Sequence, residues 1–319
     1  SNAGLKELRE EICNYVARKY NVEYNPMKET LVTVGGSEAI DIALRCMIDP
    51  GDEVIIPQPS YVSYLPCAVM ADAVPVFVNL KEENEFKLTK EELLEHITDK
   101  TKVLIMPFPN NPTGAIMTRD ELMELVPVII EKDLYVISDE IYSELTYGDN
   151  KHCSIASLPG MKINGFSKAF AMTGWRLGYA CGPDYIIKQM IKLHQYAIMC
   201  APTNSQFAAV EALKNCDMEV EKMVTAYDQR RRYLVHELRE MGIDCFEPFG
   251  AFYIFPSIKK FGMTSEEFAN RLLEDQKLAV VPGTAFGESG EGFVRISYAY
   301  SLESLKEGLR RIKNFINKL

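Results

Sequence analysis

The chain has 319 residues, 47 % of them hydrophobic, with 35 basic against 45 acidic side chains and a net charge of −10. That length exceeds what one core usually holds, so two domains are expected. The acidic balance argues against nucleic acid or an anionic membrane surface as the main partner, and no secretory apolar segment or bilayer-length apolar run is present in the sequence.

Ser1-Asn2-Ala3 reads as the remnant of a cleaved tag, with native sequence from Gly4. Leu5, Leu8, Ile12, Tyr15 and Val16 recur at helical spacing, so Gly4 to Lys19 is expected to be an amphipathic helix. Leu31 to Val34 reads as a strand, followed by Gly35-Gly36-Ser37-Glu38-Ala39 and a helix through Met47. A glycine turn entering a helix offers N–H groups and the positive dipole end to an anion, although the same arrangement also serves plain packing.

Strands and helices then alternate. Glu53 to Pro57, Val74 to Val78, Val103 to Met106 and Leu134 to Ser138 read as strands; Tyr61 to Met70, Thr89 to Ile97 and Thr118 to Glu131 read as helices, the second opened by a Thr89/Glu92 capping box. Continuously apolar strands between helices indicate a mostly parallel sheet covered on both faces. Beyond Pro183, Tyr185 to Leu213 and Val220 to Met241 read as long helices, and the Arg230-Arg231-Arg232 run as a solvated helix face. Gly250 to Phe255, Ala279 to Val281 and Val294 to Ser297 read as strands of a smaller unit, with helices over Ser265 to Asp275 and Leu302 to Ile316. The expected division is a large domain over 4–220 and a small one over 221–319.

In such a sheet, polar groups at the carboxyl ends of strands converge on a site. The strand ends deliver Ser60-Tyr61, Asn110-Asn111-Pro112-Thr113-Gly114, Asp139-Glu140-Ile141-Tyr142 and Ser167-Lys168. Lys168 is suited to forming a Schiff base with a phosphorylated aldehyde, while Ser167 and Arg176 are suited to its phosphate. Taken singly, each has a plainer reading: Ser167-Lys168 a solvated loop, Asp139 a helix cap, Asn111-Pro112 a turn, Tyr61 a core aromatic. The eight cysteines lack a C-x-x-C pair and read as reduced thiols, hence a cytoplasmic chain; the four scattered histidines give no reason to expect a metal.

The segments V-G-G-S-E-A-I-D, N-N-P-T-G, S-D-E-I-Y-S-E-L, S-K-A-F-A-M-T-G-W-R-L-G-Y, G-A-F-Y and V-R-I-S, in this order and spacing, resemble the fold-type I pyridoxal 5′-phosphate aminotransferases. The likeness is to the bacterial branch with aspartate, aromatic and acetylated diaminopimelate members. It implies a three-layer α/β domain with a smaller α+β C-terminal domain, a homodimer, and ping-pong exchange of an amino group between an amino acid and a 2-keto acid. It implies Asp139 at the pyridine nitrogen, Asn111 and Tyr142 at the phenolic oxygen, and Tyr61 stacked on the ring. Gly36, Ser37, Glu38, Ser167 and Arg176 would hold the phosphate, Arg295 the substrate carboxylate, and Lys168 would be anchor and proton carrier.

A carbon–sulfur β-lyase and the sensor domain of a transcription regulator share this fold and stand as alternatives. Ser37, where acid-selective relatives carry lysine, and the His194-Gln195-Tyr196 triplet lean toward aromatic or acetylated diaminopimelate substrates. The resemblance also implies an upstream arm over the pocket, so the chain as given is expected to fold yet bind cofactor less tightly and turn over slowly.

Overall fold

The computed structural model describes residues 1–159, 163–167 and 172–319, with residues 163–167 and Thr173 described through their backbone alone. Seven strands form one sheet: β1 (Thr30–Thr33), β2 (Glu53–Gln58), β3 (Val74–Asn79), β4 (Thr101–Met106), β5 (Tyr135–Glu140), β6 (Ile163–Ser167) and β7 (Gly178–Cys181), in the order β1-β7-β6-β5-β4-β2-β3. Neighbouring strands run parallel except β7, which is antiparallel to both β6 and β1.

Successive side chains of a strand point to opposite faces, and here both faces are covered. Val54, Ile56, Val103, Ile105 and Ile137 pack beneath α2 (Gly36–Met47), α3 (Tyr64–Met70) and α6 (Asp184–Ala197). Their alternates Ile55, Leu104, Met106 and Val136 pack beneath α4 (Lys90–His96) and α5 (Arg119–Glu131). The Thr89/Glu92 capping box is formed, and α5 opens on a second one between Thr118 and Glu121. Two further helices, α1 (Lys6–Tyr20) and α7 (Thr203–Asn215), pack together with Val32 and Cys181 in a separate apolar cluster. The carbonyl of Ala3, in the expected tag remnant, accepts the N–H of Val32.

From α8 (Asp217–Glu240) onward a second core forms around β8 (Tyr253–Ile254), α9 (Ser265–Gln276), β9 (Val281–Pro282), β10 (Val294–Ser297) and α10 (Leu302–Ile316). Its small antiparallel sheet has the order β8-β10-β9.

Three expectations need correction. The long helix over Tyr185 to Leu213 is two helices, α6 and α7, because Met199 takes a left-handed φ of 78° and Pro202 sits at the N-cap of the second. The strand over Gly250 to Phe255 shrinks to Tyr253–Ile254, since Ala251 has φ 59° and bends the chain. Arg231 is not solvated: it is 3 % exposed, paired with Asp228 and Glu247 at 2.8 Å each, and its guanidinium lies over Tyr147 and Phe249. The charged neighbours of the run point to a solvated face; Tyr147 and Phe249, distant in sequence, bury it.

Candidate active site

β5 carries the floor of the site in its last three residues. By the strand's alternation Asp139 shares the face of Ile137, toward α3, while Ser138 and Glu140 face the other way. Asp139 is buried; its Oδ2 accepts the hydroxyl of Tyr64 at 2.8 Å and its Oδ1 the N–H of Ile141 at 3.2 Å. Burial, with Asp139 alongside, pushes the Tyr64 phenol well above its ordinary pKa, so Tyr64 stays a donor. On the opposite face Glu140 accepts from Ser138 Oγ at 2.9 Å and Ser154 Oγ at 2.8 Å and lies 3.0 Å from His152 Nε2. Burial pushes the Glu140 carboxyl up, but His152 and these hydrogen bonds outweigh it and hold the group below the usual carboxylate range.

β4 leads into the second cluster. The turn at 110–114 is closed by Asn110, whose Oδ1 accepts both the N–H and the hydroxyl of Thr113, and the Asn111-Pro112 bond is cis. Gly114 has φ +74°, and a Cβ there would stand 2.3 Å from Pro248; a Cβ on Gly250 would stand 2.5 Å from Pro109. Glycine at both places lets the turn and the small unit meet backbone to backbone. That contact brings Asn111 to β10, where its Oδ1 accepts Nη1 of Arg295 at 2.8 Å.

The Arg295 guanidinium lies 4.3 Å from the Tyr253 ring centroid and 4.7 Å from that of Phe286. Its Nε has no hydrogen-bond partner and no carboxylate pairs with it among the described residues. Burial lowers its pKa, opposed by Tyr253 and Tyr142, yet an arginine remains charged. Tyr253 also meets Tyr142, hydroxyl to hydroxyl, at 3.3 Å, and burial holds the Tyr142 phenol protonated.

The third cluster lies at the entry to α2. Gly35 has φ +92°, and its turn rests on β7 so closely that a Cβ on Gly178 would be 2.6 Å from the Gly35 carbonyl carbon. Arg176 donates from Nη2 to the carbonyl of Val34 at 3.3 Å, with its guanidinium against Gly35. The Ser37 hydroxyl lies 3.3 Å from that of Tyr61, whose ring stands edge-on to Tyr64 at 5.7 Å. Glu38 behaves differently from its neighbours: its side chain turns back to the N–H of Val34 and to His194, so only its main chain faces as a donor.

Tyr61, Asn111, Asp139 and Tyr142 therefore line one cavity, together with Tyr64 and Ile141. Ser167 ends β6 opposite Glu140, and its side chain is outside the described atoms; Lys168, the next residue, lies outside the described residues. Sequence reasoning missed Tyr64, Tyr253 and the Glu140 network. Tyr64 follows Tyr61 by one helical turn, and Tyr253 stands in the quoted G-A-F-Y segment; both signals were available.

The donor set suits a particular group. A buried carboxylate calls for a cationic ring nitrogen, protonated phenol and amide donors suit an anionic oxygen, and a glycine turn at a helix start with an arginine beside it suits a phosphate. These groups fit pyridoxal 5′-phosphate, the cofactor of the three-layer α/β enzymes that the sequence resembles.

Residues 1–312 match the model of the family described as aminotransferase class I and II, and the chain belongs to that family. It is 46 % identical to an aspartate aminotransferase of Pyrococcus abyssi, with 99 % of this chain and 83 % of that protein covered. It is 44 % identical to a probable N-acetyl-LL-diaminopimelate aminotransferase of Bacillus subtilis, over 99 % of this chain and 81 % of that one. The solved structure of an aromatic aminotransferase from Pyrococcus horikoshii superposes with a TM-score of 0.98 at 43 % identity, covering 99 % of this chain and 87 % of that one. The protein is a pyridoxal-phosphate-dependent aminotransferase, and these relatives do not favour the lyase or regulator alternatives.

Proposed function

We propose that the three clusters divide the work of transamination among named residues. The observation that carries this reading is Arg295, a half-buried guanidinium bonded to Asn111, with a buried Nε that has no partner and no carboxylate paired with it among the described residues. A cation drawn partly out of water calls for an anion, and an amino acid's α-carboxylate would supply it in a bidentate pair. When bound, the cofactor supplies an aldehyde for the amino group and a ring that accepts electrons from the substrate Cα.

Asp139, held by Tyr64 and the Ile141 N–H, keeps a negative charge beside the ring nitrogen. Asn111 and Tyr142 donate to the phenolic oxygen, and Tyr61 covers the ring face. The N–H groups at Gly36, Ser37 and Glu38, with Ser167 and Arg176, receive the phosphate. Lys168 anchors the cofactor and its Nζ carries the proton of the substrate Cα, first away and then back, in the two halves of a ping-pong cycle. Borohydride reduction of the cofactor-loaded protein is expected to leave a pyridoxyl group on Lys168 in a peptide map; the label on another lysine would overturn the assignment.

The same reading takes 4–220 as the cofactor domain and 221–319 as the small domain, supported by the two separate sheets, with α8 running across the border. A homodimer is supported by the exposed apolar side chains of Trp175, Tyr196, Met199 and Phe207 around the α6–α7 junction. Eight free cysteines support a cytoplasmic setting. The substrate is taken to be an aromatic or acetylated diaminopimelate-type amino acid, because Ser37 offers an acidic side chain no cation. A spectral screen of amino acids against the loaded protein tests this, and aspartate reacting fastest would refute it.

A further inference from the structure

The roles above leave His194 without a task. It sits on α6 with no exposed surface, and its Nδ1 is 2.6 Å from Oε1 of Glu38. Oε2 of the same carboxylate accepts the N–H of Val34 at 2.5 Å, and the Val34 carbonyl accepts Arg176. A chain of contacts thus runs from the interior of α6, through Glu38 and the backbone of the glycine turn, to the arginine beside Gly35.

Two features show that this histidine is not ordinary core filling. Its Nε2 is buried without a hydrogen-bond partner among the described residues, which costs stability. Ile186, Ile187 and Met190 fill the rest of the buried face of α6, and another apolar residue would carry no such cost. The gain has to lie with Glu38. A carboxylate in the first turn of a helix is drawn to the exposed N–H groups there, and at this helix those groups are the ones assigned to a phosphate. Left free to rotate, Glu38 would compete for them and repel the second anion. Gripped by His194, it stays turned back on Val34.

We propose that His194 is a positioning residue for the phosphate seat: it holds the Glu38 carboxylate away from the anion and fixes the turn that carries Gly35, Gly36 and the Arg176 contact. The proposal rests on the reading of this turn as the phosphate seat. The chain would be titrated with pyridoxal 5′-phosphate and, separately, with pyridoxal, which lacks the phosphate, the ratio of the two dissociation constants reporting the seat alone. His194→Leu is expected to weaken binding of the phosphorylated form about tenfold and leave pyridoxal unchanged. His194→Asn, whose amide nitrogen stands near the place of Nδ1, should restore most of the ratio, and adding Glu38→Gln to His194→Leu should restore it by removing the charge. Should His194→Leu not fold, His194→Gln, which withdraws the donor from Glu38, carries the same expectation. Equal weakening toward both ligands, or an unchanged ratio despite a lower melting temperature, would overturn the proposal. Loss of the phosphate preference in the unsubstituted chain would instead overturn the seat itself.

Discussion

The floor and the clamp of this site are built on opposite plans. The floor, Asp139 with Tyr64 and, behind it on the other face of β5, Glu140 with His152, Ser138 and Ser154, comes from the large sheet, its loops and α3, and each of its carboxylates has fixed partners. The clamp joins Asn111 from the large sheet to Arg295 and Tyr253 from the small one, and the Nε of its cation has no partner among the described residues. A floor satisfied from within can hold one charge state for a resident group. A clamp assembled from two units and left incomplete can be completed by each new substrate.

Substitutions separate the two plans. Asp139→Ala removes the charge proposed to stand beside the ring nitrogen and is expected to lower kcat by about 10³-fold or more, on the scale of a lost electrostatic or acid–base group; a loss below tenfold would remove that role from Asp139. Arg295→Leu is expected to raise KM for amino acids by about 10²-fold, within the 2–5 kcal/mol typical of truncating one side of a charge pair, while cofactor binding in equilibrium dialysis weakens far less, through the Asn111 amide that Arg295 orients. Equal damage to cofactor and substrate binding would erase the distinction between floor and clamp.

The smallest effect is a pH dependence. Glu140 has a folded pKa below its ordinary value, so it stabilises the fold above the unfolded carboxylate pKa of about 4.3, and that contribution is lost as the pH falls through the lower folded value. Glu140→Gln, which binds no proton, should be less stable than the unsubstituted chain at pH 7 by about 1–3 kcal/mol. The difference in urea midpoint should shrink below about pH 4.3. A difference that stays constant down to pH 3 would show that the Glu140 network is not what the acid disrupts.

The frame beneath the floor was legible because its signals are local, although of the floor's own side chains only Asp139 was read, and its role by resemblance. Apolar runs marked β4 and β5, and the Thr89/Glu92 capping box marked the start of α4; the second box at Thr118 and the opposite facing of Asp139 and Glu140 emerged only in the structure. The clamp was legible only by resemblance. Arg295 on an apolar strand announces that it needs a partner but not which one, and its meeting with Asn111 depends on the contact between Gly114 and Gly250, which no periodicity encodes. Arg231 failed for the same reason, since Tyr147 and Phe249 reach it from other segments. Tyr64 carries no signal of its own beyond its spacing from Tyr61, since its bond to Asp139 joins α3 to β5 across the sheet. His194 read only as part of a family-like triplet until Glu38 was seen to turn toward it.

The bond between Asn111 and Arg295 has a directional consequence. A carboxamide has two chemically opposite ends, and an arginine, which only donates, can bind only the oxygen. By engaging Oδ1, Arg295 decides which way the amide of Asn111 points and leaves the NH2 as the end available to anything else in the cavity. The residue proposed to receive the substrate thus also sets the polarity of the group proposed to touch the cofactor. An aspartate at 111 would keep the bond to Arg295 and present an acceptor where the amide presents a donor, reversing the sign of the contact without moving an atom of the frame.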